Sequence, residues 1–248
     1  MFTEEIKAVL SNTRTISVLT GAGISTNSGI PDFQTIDHEW PFPVPRVEVL
    51  SRQFFYNHPE KFWDAYTYLF NFKKEIEPTI FHYAIAELER TFDVTVITQN
   101  IDGLHQKAGS TNVLEVHGSN RYSRSSSKKN PHERVLTREL ITSQNFIDDS
   151  SGKYYRPDIT LFGEKPFHVK KSIKTISESD LLIVAGTALN VYPVAMFPTY
   201  RLFFQDNAES WWVNSDIPSA DYSFTQEFII DTDAFGQELL NYLKEGRN

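Results

Sequence analysis

Thr15-Ile16-Ser17-Val18-Leu19-Thr20-Gly21-Ala22-Gly23-Ile24-Ser25 is the stretch that decides how this chain folds. Its first six residues read as a strand buried on both faces, the kind a parallel sheet contains. That strand runs directly into Gly-x-Gly. In α/β proteins such a junction is where glycines let the backbone approach a phosphate and where amides at the start of a helix supply donors. A helix is expected from about Ser25, whose hydroxyl could add a bond. The usual dinucleotide fingerprint has its third glycine three residues after the second. Here it falls at Gly29, six residues after Gly23. Taken alone, Gly21-x-Gly23 is a weak signal, since glycines after a strand more often make only a tight turn.

The surroundings extend the α/β pattern in both directions. Residues 4 to 11 predict a short helix with Ile6, Val9 and Leu10 on one side. Pro31 and the run Pro41-Phe42-Pro43-Val44-Pro45 predict an irregular connection. Pro59 to Phe72 and Thr79 to Arg90 read as helices, the second feeding a buried strand at Phe92 to Thr98. A short strand, Val113 to Val116, ends at His117-Gly118. From Ser119 to Tyr155 the chain turns polar and reads as a separate lobe. Strand patterns resume at Ile159 to Phe162, Leu181 to Gly186, Trp211 to Asn214 and Phe228 to Asp231, before a last helix from Ala234 to Lys244. The expected architecture is a doubly wound parallel sheet with a smaller lobe made of two insertions. Residues 1–36, 79–118 and 158–248 fall to the sheet domain, and 37–78 and 119–157 to the small lobe.

Composition narrows the function classes. With 248 residues, 40% of them hydrophobic and 19 Phe among them, the chain can fill one full α/β core. A formal charge of −8 disfavours nucleic acid and anionic lipid as partners and suits basic or lysine-bearing ones. There is no cysteine, which excludes disulfides, a thiol nucleophile and zinc sites built on thiolates. No apolar run approaches the roughly 18 residues that span a bilayer, and Met1 to Glu5 lack a signal pattern. A cytoplasmic protein is expected. Its oligomeric state is not legible in the sequence.

Two clusters could carry chemistry. Gln99, Asn100 and Asp102 follow the end of a predicted strand, where open α/β sheets place ligand groups. Two amides and a carboxylate suit a ribose and a carboxamide, although Asn and Asp at such a place also make ordinary turns. His117 ends another strand, and a base titrating near neutrality there could take a proton from a ribose hydroxyl. A lone histidine is more often structural.

The continuation decides between these readings. Gly21-Ala22-Gly23-Ile24-Ser25-Thr26-Asn27-Ser28-Gly29-Ile30-Pro31-Asp32-Phe33 closely resembles the NAD-binding signature of the sirtuins. Thr98 to His105, His117-Gly118, Phe162-Gly163-Glu164, Gly186 to Pro193 and Val213-Asn214-Ser215 occur in that family's order. The resemblance implies a Rossmann-like fold and an NAD-dependent protein-lysine deacylase. Such an enzyme consumes NAD as a co-substrate, releases nicotinamide and passes the acyl group of a protein or peptide to ADP-ribose. It further implies that Gly21, Ala22, Gly23, Ser25 and Ile30 belong to the NAD site, with Phe33 as a lid over the nicotinamide and Gln34 beside it. Asp32 and Asp102 would hold the carboxamide. Gln99 and Ile101 flank Asn100, which would contact the ribose and the reactive water. His117 matches the catalytic base, and His105 a structural residue. Gly186, Thr187, Asn214 and Ser215 match the adenosine end. Leu161, Phe162 and Gly163 resemble the strand edge along which an acyl-lysine peptide lies.

The sequence departs from the family at several places, among them Ala188, which stands where serine is common and deletes one possible hydroxyl contact. The four cysteine positions of the family's structural zinc are filled by Ser125, Lys128, Asp148 and Ser151. That set is unsuited to zinc, so no metal is expected and the lobe is expected to be held by packing alone. Gln34 stands where the family usually has arginine, which removes a fixed charge near the pyrophosphate. Tyr66 is followed three places on by Leu69 rather than arginine, which argues against acidic acyl groups. The alternatives are an NAD-dependent protein ADP-ribosyltransferase or NAD glycohydrolase on the same fold, and, ranked last, a nucleotide-sensing scaffold without turnover.

Overall fold

The computed structural model describes residues 2–30, 40–69, 75–127, 134–204, 209–219 and 221–245, with the side chains of 202–204 excepted. Its strands are β1 (Thr15–Thr20), β2 (Asp93–Thr98), β3 (Val113–Glu115), β4 (Gly118–Ser125), β5 (Arg134–Leu136), β6 (Ile147–Asp148), β7 (Lys153–Ile159), β8 (Leu181–Ala185), β9 (Glu209–Asn214) and β10 (Gln226–Ile229). Six of them form one sheet in the order β10-β9-β8-β1-β2-β3, and every neighbouring pair is parallel. The chain winds outward through β2 and β3, then returns to β8 beside β1 and winds the other way. The order therefore reverses between β1 and β8, and such a switch point opens a crevice at the carboxyl ends of the two strands.

Both faces of this sheet are covered, which is why its strands read as continuous apolar runs. On one face Ile16 and Val18 of β1 pack with Ile6, Leu10, Phe81 and Trp211. On the other, Leu19 packs with Leu182, Val184, Phe197 and Trp212. Burying each such side chain contributes about 1.5–3 kcal/mol. The helix Glu4–Asn12 starts at Thr3, whose side chain accepts from the Ile6 amide, and ends in a bond from the Thr13 amide to the Leu10 carbonyl.

The remaining strands form an antiparallel sheet in the order β5-β4-β7-β6. Beside it lie the helices Arg46–Val49, Arg52–Asn57, Pro59–Leu69 and Thr137–Ser143. One core unites the two inserted stretches: Phe55, Phe62, Trp63 and Tyr66 from the first, Leu140 and Tyr155 from the second. The Trp63 indole N–H donates to the Tyr155 carbonyl at 2.9 Å and ties them together.

Two expectations need correction. No α-helix starts at Ser25; a 3-10 helix, Ala22–Ser28, begins at once after Gly21, because the loop must turn tightly beneath the one following β8. The strand expected at 159–162 in the main sheet does not form there. β7 ends at Ile159 in the small sheet, where Ile159 and Asp158 pair with Gly118 and Ser119. Beyond it the chain turns back on itself, and only Phe162 makes a bridge, a parallel one with Ser51.

Candidate active site

The floor of the crevice is where the loops after β1 and β8 touch backbone to backbone. The Gly21 amide donates to Ala185 at 3.2 Å, and the Gly23 amide to Gly186 at 2.8 Å. A Cβ on Gly21 would lie 2.6 Å from the Cβ of Thr187, and one on Gly186, at φ +58°, would lie 2.5 Å from the Ile24 amide nitrogen. No side chain fits either place. The glycines, read in the sequence as a way for backbone to reach a phosphate, first allow the two loops to reach each other.

Above this floor the polar residues form one connected set. Asn100 donates through Nδ2 to the Gly21 carbonyl at 3.0 Å and to Ser25 Oγ at 3.2 Å. With its amide so oriented, Oδ1 is the atom left to meet a ligand. Ser25 is buried, and its hydroxyl donates to Asp102 Oδ2 at 2.8 Å, so it is spent on a neighbour rather than presented to a phosphate. The other oxygen of Asp102 accepts from the Leu104 amide at 2.9 Å. Burial raises the pKa of Asp102 above the usual carboxylate value, and these two bonds oppose the rise. Gln99 donates to Thr187 Oγ1 at 2.9 Å, and the Thr187 carbonyl accepts from Asn214 Nδ2 at 3.1 Å. Ser215 follows, exposed, with its amide on Asn214 Oδ1 at 2.9 Å.

His117 sits at the rim beside Gln99. Its Nδ1 lies 3.1 Å from the Gln99 carbonyl oxygen. A carbonyl only accepts, so Nδ1 carries the hydrogen and Nε2 keeps its lone pair. Burial lowers the pKa of His117 below that of a free imidazole, with the Gln99 contact acting in the opposite direction. At neutral pH the ring is an uncharged base whose second nitrogen takes no part in the Gln99 contact.

The structure thus brings together Gly21, Ala22, Gly23, Ser25, Gln99, Asn100, Asp102, His117, Gly186, Thr187 and Asn214. Ile30 follows the 3-10 helix and is half-buried, and Ile101 packs against the small-lobe core while its carbonyl accepts from the Asn120 amide at 2.9 Å. Asp32, Phe33 and Gln34 lie outside the described residues. Leu161 is buried in the small-lobe core and presents no side chain to a peptide; Phe162 and Gly163 are exposed. Thr98 also belongs here, its Oγ1 accepting from the Asn100 amide at 3.0 Å, and nothing in the sequence separates it from the other residues of its strand. His105 is fully buried, with Nε2 3.0 Å from Thr20 Oγ1, as suits the structural part assigned to it.

The zinc positions tell a different story. Ser125 and Ser151 both donate to Asp148 Oδ2, at 2.6 and 2.5 Å, while Ser150 donates to Oδ1 at 2.7 Å. One carboxylate already satisfied by hydroxyls is not a zinc donor set, and among the described residues no three His, Cys, Asp or Glu side chains could hold an ion. Lys128 lies outside the described residues. The lobe is therefore not held by packing alone, since hydrogen bonds join β4 to the turn before β7.

A doubly wound parallel sheet with an amide-rich crevice at its switch point, a neutral histidine at the rim and a second lobe alongside defines a nucleotide-binding α/β protein. The Sir2 family model matches residues 21–193, so the chain belongs to the Sir2 family. A protein of Bacillus subtilis (strain 168) named NAD-dependent protein deacetylase is 38% identical over 204 residues, covering 79% of this chain and 82% of that one. Among solved structures, a Sir2 homolog–NAD complex superposes with a TM-score of 0.88 at 27% identity, covering 100% of this chain and 96% of that one. A Sir2–p53 peptide–NAD+ complex matches at 0.84 and 30% identity over 100% of both chains.

Proposed function

We propose that this chain is a protein-lysine deacylase that consumes NAD. The observation that carries the reading is His117, an uncharged imidazole whose Nδ1–H is fixed on the Gln99 carbonyl and whose Nε2 is left to act as a base. The relatives named for NAD-dependent deacetylation support it. The residues present fit a dinucleotide: Asn100 Oδ1 and the Asn214 and Thr187 groups offer the donors and acceptors that ribose hydroxyls and an adenosine end require.

NAD supplies an electrophilic ribose carbon as nicotinamide departs, and its ribose becomes the acceptor of the acyl group. The protein's own work is positioning and proton transfer. Asn100 accepts through Oδ1 from a ribose hydroxyl or from water. Asp102, pinned by Ser25 and Leu104, keeps lone pairs for the carboxamide. His117 Nε2 takes a proton from the ribose hydroxyl, a step worth about 10²–10⁴ in rate for a well-placed base. Gly163 is where we place the peptide, its lysine reaching the crevice from the small-lobe side.

The same reading assigns residues 1–36, 79–118 and 158–248 to the NAD-binding domain and 37–78 and 119–157 to the small lobe, with no zinc and neither nucleic acid nor membrane as partner. No helix among the described residues is long and apolar enough to cross a membrane, and we place the protein in the cytoplasm. Mass spectrometry of an acetyl-lysine peptide incubated with protein and NAD tests the function. Loss of the acetyl group with formation of acetyl-ADP-ribose supports it; ADP-ribose attached to protein without deacetylation assigns the chain to ADP-ribosyl transfer instead.

A further inference from the structure

Arg156 is a buried cation that the chemistry above does not use. It lies on β7, its side chain is 5% exposed, and its guanidinium grips Glu164 with both arms, Nη1 to Oε1 at 2.7 Å and Nη2 to Oε2 at 2.9 Å. Nη2 also donates to the Ile159 carbonyl at 2.8 Å, and the group lies over the Phe55 ring, 5.9 Å from its centre. Glu164 passes the hold onward, because its Oε2 accepts from the Leu161 amide at 3.0 Å and its own amide donates to the Leu161 carbonyl at 2.9 Å. The turn 161–164 is thus closed at both ends on Glu164, which Arg156 grips with both arms while Arg52 Nε stands 3.9 Å from Oε1.

The outside of that turn is equally determined. The Phe162 amide donates to Leu50 and its carbonyl accepts from Arg52, both at 3.0 Å. The Thr160 amide donates to the carbonyl of His117 at 2.8 Å, which joins the same segment to the base. With Leu161 and Phe162 spent in this way, Gly163, exposed and at φ +89°, is left with its N–H and C=O unbonded among the described residues. A peptide lying along this edge has those two groups to pair with, and their direction depends on how the turn is held.

We propose that Arg156 is the positioning residue of the peptide edge: through Glu164 it sets the 161–164 turn so that the Gly163 backbone faces the substrate. It touches neither peptide nor NAD. The inference rests on the deacylase reading and deepens it. A planar fork holds both carboxylate oxygens by parallel bonds with a carbonyl beside them in one fixed geometry, which the point-like ammonium of lysine does not reproduce.

The test is steady-state kinetics of the full chain and of R156K and E164Q, with an acetyl-lysine peptide and NAD each varied, alongside Tm and NAD affinity by calorimetry. Arg156→Lys keeps the charge and loses the fork; the peptide KM is expected to rise about tenfold or more, the cost of misplacing a binding group by a fraction of a bond length. The NAD Kd stays within about twofold and kcat at saturating peptide changes little. Glu164→Gln keeps one acceptor arm and raises the peptide KM less, and it decides the matter if R156K does not fold. An unchanged peptide KM in a folded variant overturns the proposal, as does an equal loss in NAD and peptide affinity, which marks a purely structural residue. Wild-type protein that turns over no peptide overturns the deacylase reading and this inference with it, whereas wild-type turnover with indifferent variants overturns this inference alone.

Discussion

His117 concentrates the chemistry in one atom, Nε2, and its environment makes a pH-dependent statement. Burial lowers its pKa, so the fraction of uncharged base stays high as pH falls to the ordinary imidazole value near 6.5. Deacylation under kcat/KM conditions should therefore fall at a lower pH than a free imidazole base would give, which a pH–rate profile checks. Replacing His117 with Ala should lower kcat by about 10²–10⁴ while NAD binding, read by calorimetry, changes only a few-fold. Gly186→Ala tests the floor of the crevice. Its Cβ would meet the Ile24 amide nitrogen at 2.5 Å in a left-handed conformation, and a loss of about 2–4 kcal/mol by urea unfolding is expected. At this scale the identities of the site residues were legible, because an amide or an imidazole announces its chemistry. Their mutual contacts were not. That Ser25 is committed to Asp102 depends on a loop 77 positions away, and no local pattern encodes it.

The elements show where local pattern misleads. β4 is Gly-Ser-Asn-Arg-Tyr-Ser-Arg-Ser, which reads as polar linker, yet it is the central partner of both β5 and β7. Apart from Gly118, its buried positions are serines satisfied by other side chains: Ser123 with Thr137 at 2.9 Å and Ser125 with Asp148. A strand whose inward face is hydrogen-bonded rather than apolar carries no hydrophobic alternation. The same serines set the behaviour of the lobe. The hydroxyls of Ser125, Ser151 and Ser150 hold the Asp148 carboxyl far below the usual carboxylate range. A depressed pKa stabilises the fold above the unfolded value near 4, and the contribution disappears only as pH falls toward the folded value. Asp148→Ala should lower Tm at neutral pH and narrow the gap in stability between pH 7 and pH 3. Prolonged treatment with EDTA should leave Tm where it was; a fall accompanied by released zinc would contradict the metal-free account of these positions.

At the scale of the whole molecule, the six-stranded order could be anticipated as a class but not as a register, because β1 meets β8 across more than 160 residues of chain and only the packed product reveals which strands adjoin. Behind the crevice lies a feature the sequence left unread: His82 and His105, both fully buried, with rings 4.7 Å apart. His82 Nδ1 accepts from the Thr79 amide at the start of the helix Ile80–Leu88, and burial lowers its pKa to about 4. Burial, with the neighbouring His82, pushes His105 well below its ordinary value. Folding keeps both rings neutral, so below about pH 6.5 the unfolded chain binds more protons. Stability should then fall by about 1.4 kcal/mol per pH unit for each ring, down to the folded pKa. Urea midpoints measured from pH 7 to pH 4.5 check this, and His82→Gln, which can still close the cap, should make the slope shallower. The central claim is that the crevice breaks NAD only to deacylate a substrate. Nicotinamide release measured with and without an acetyl-lysine peptide tests it most directly: release that requires peptide and matches deacetylation mole for mole is the predicted result, and release indifferent to peptide would contradict it.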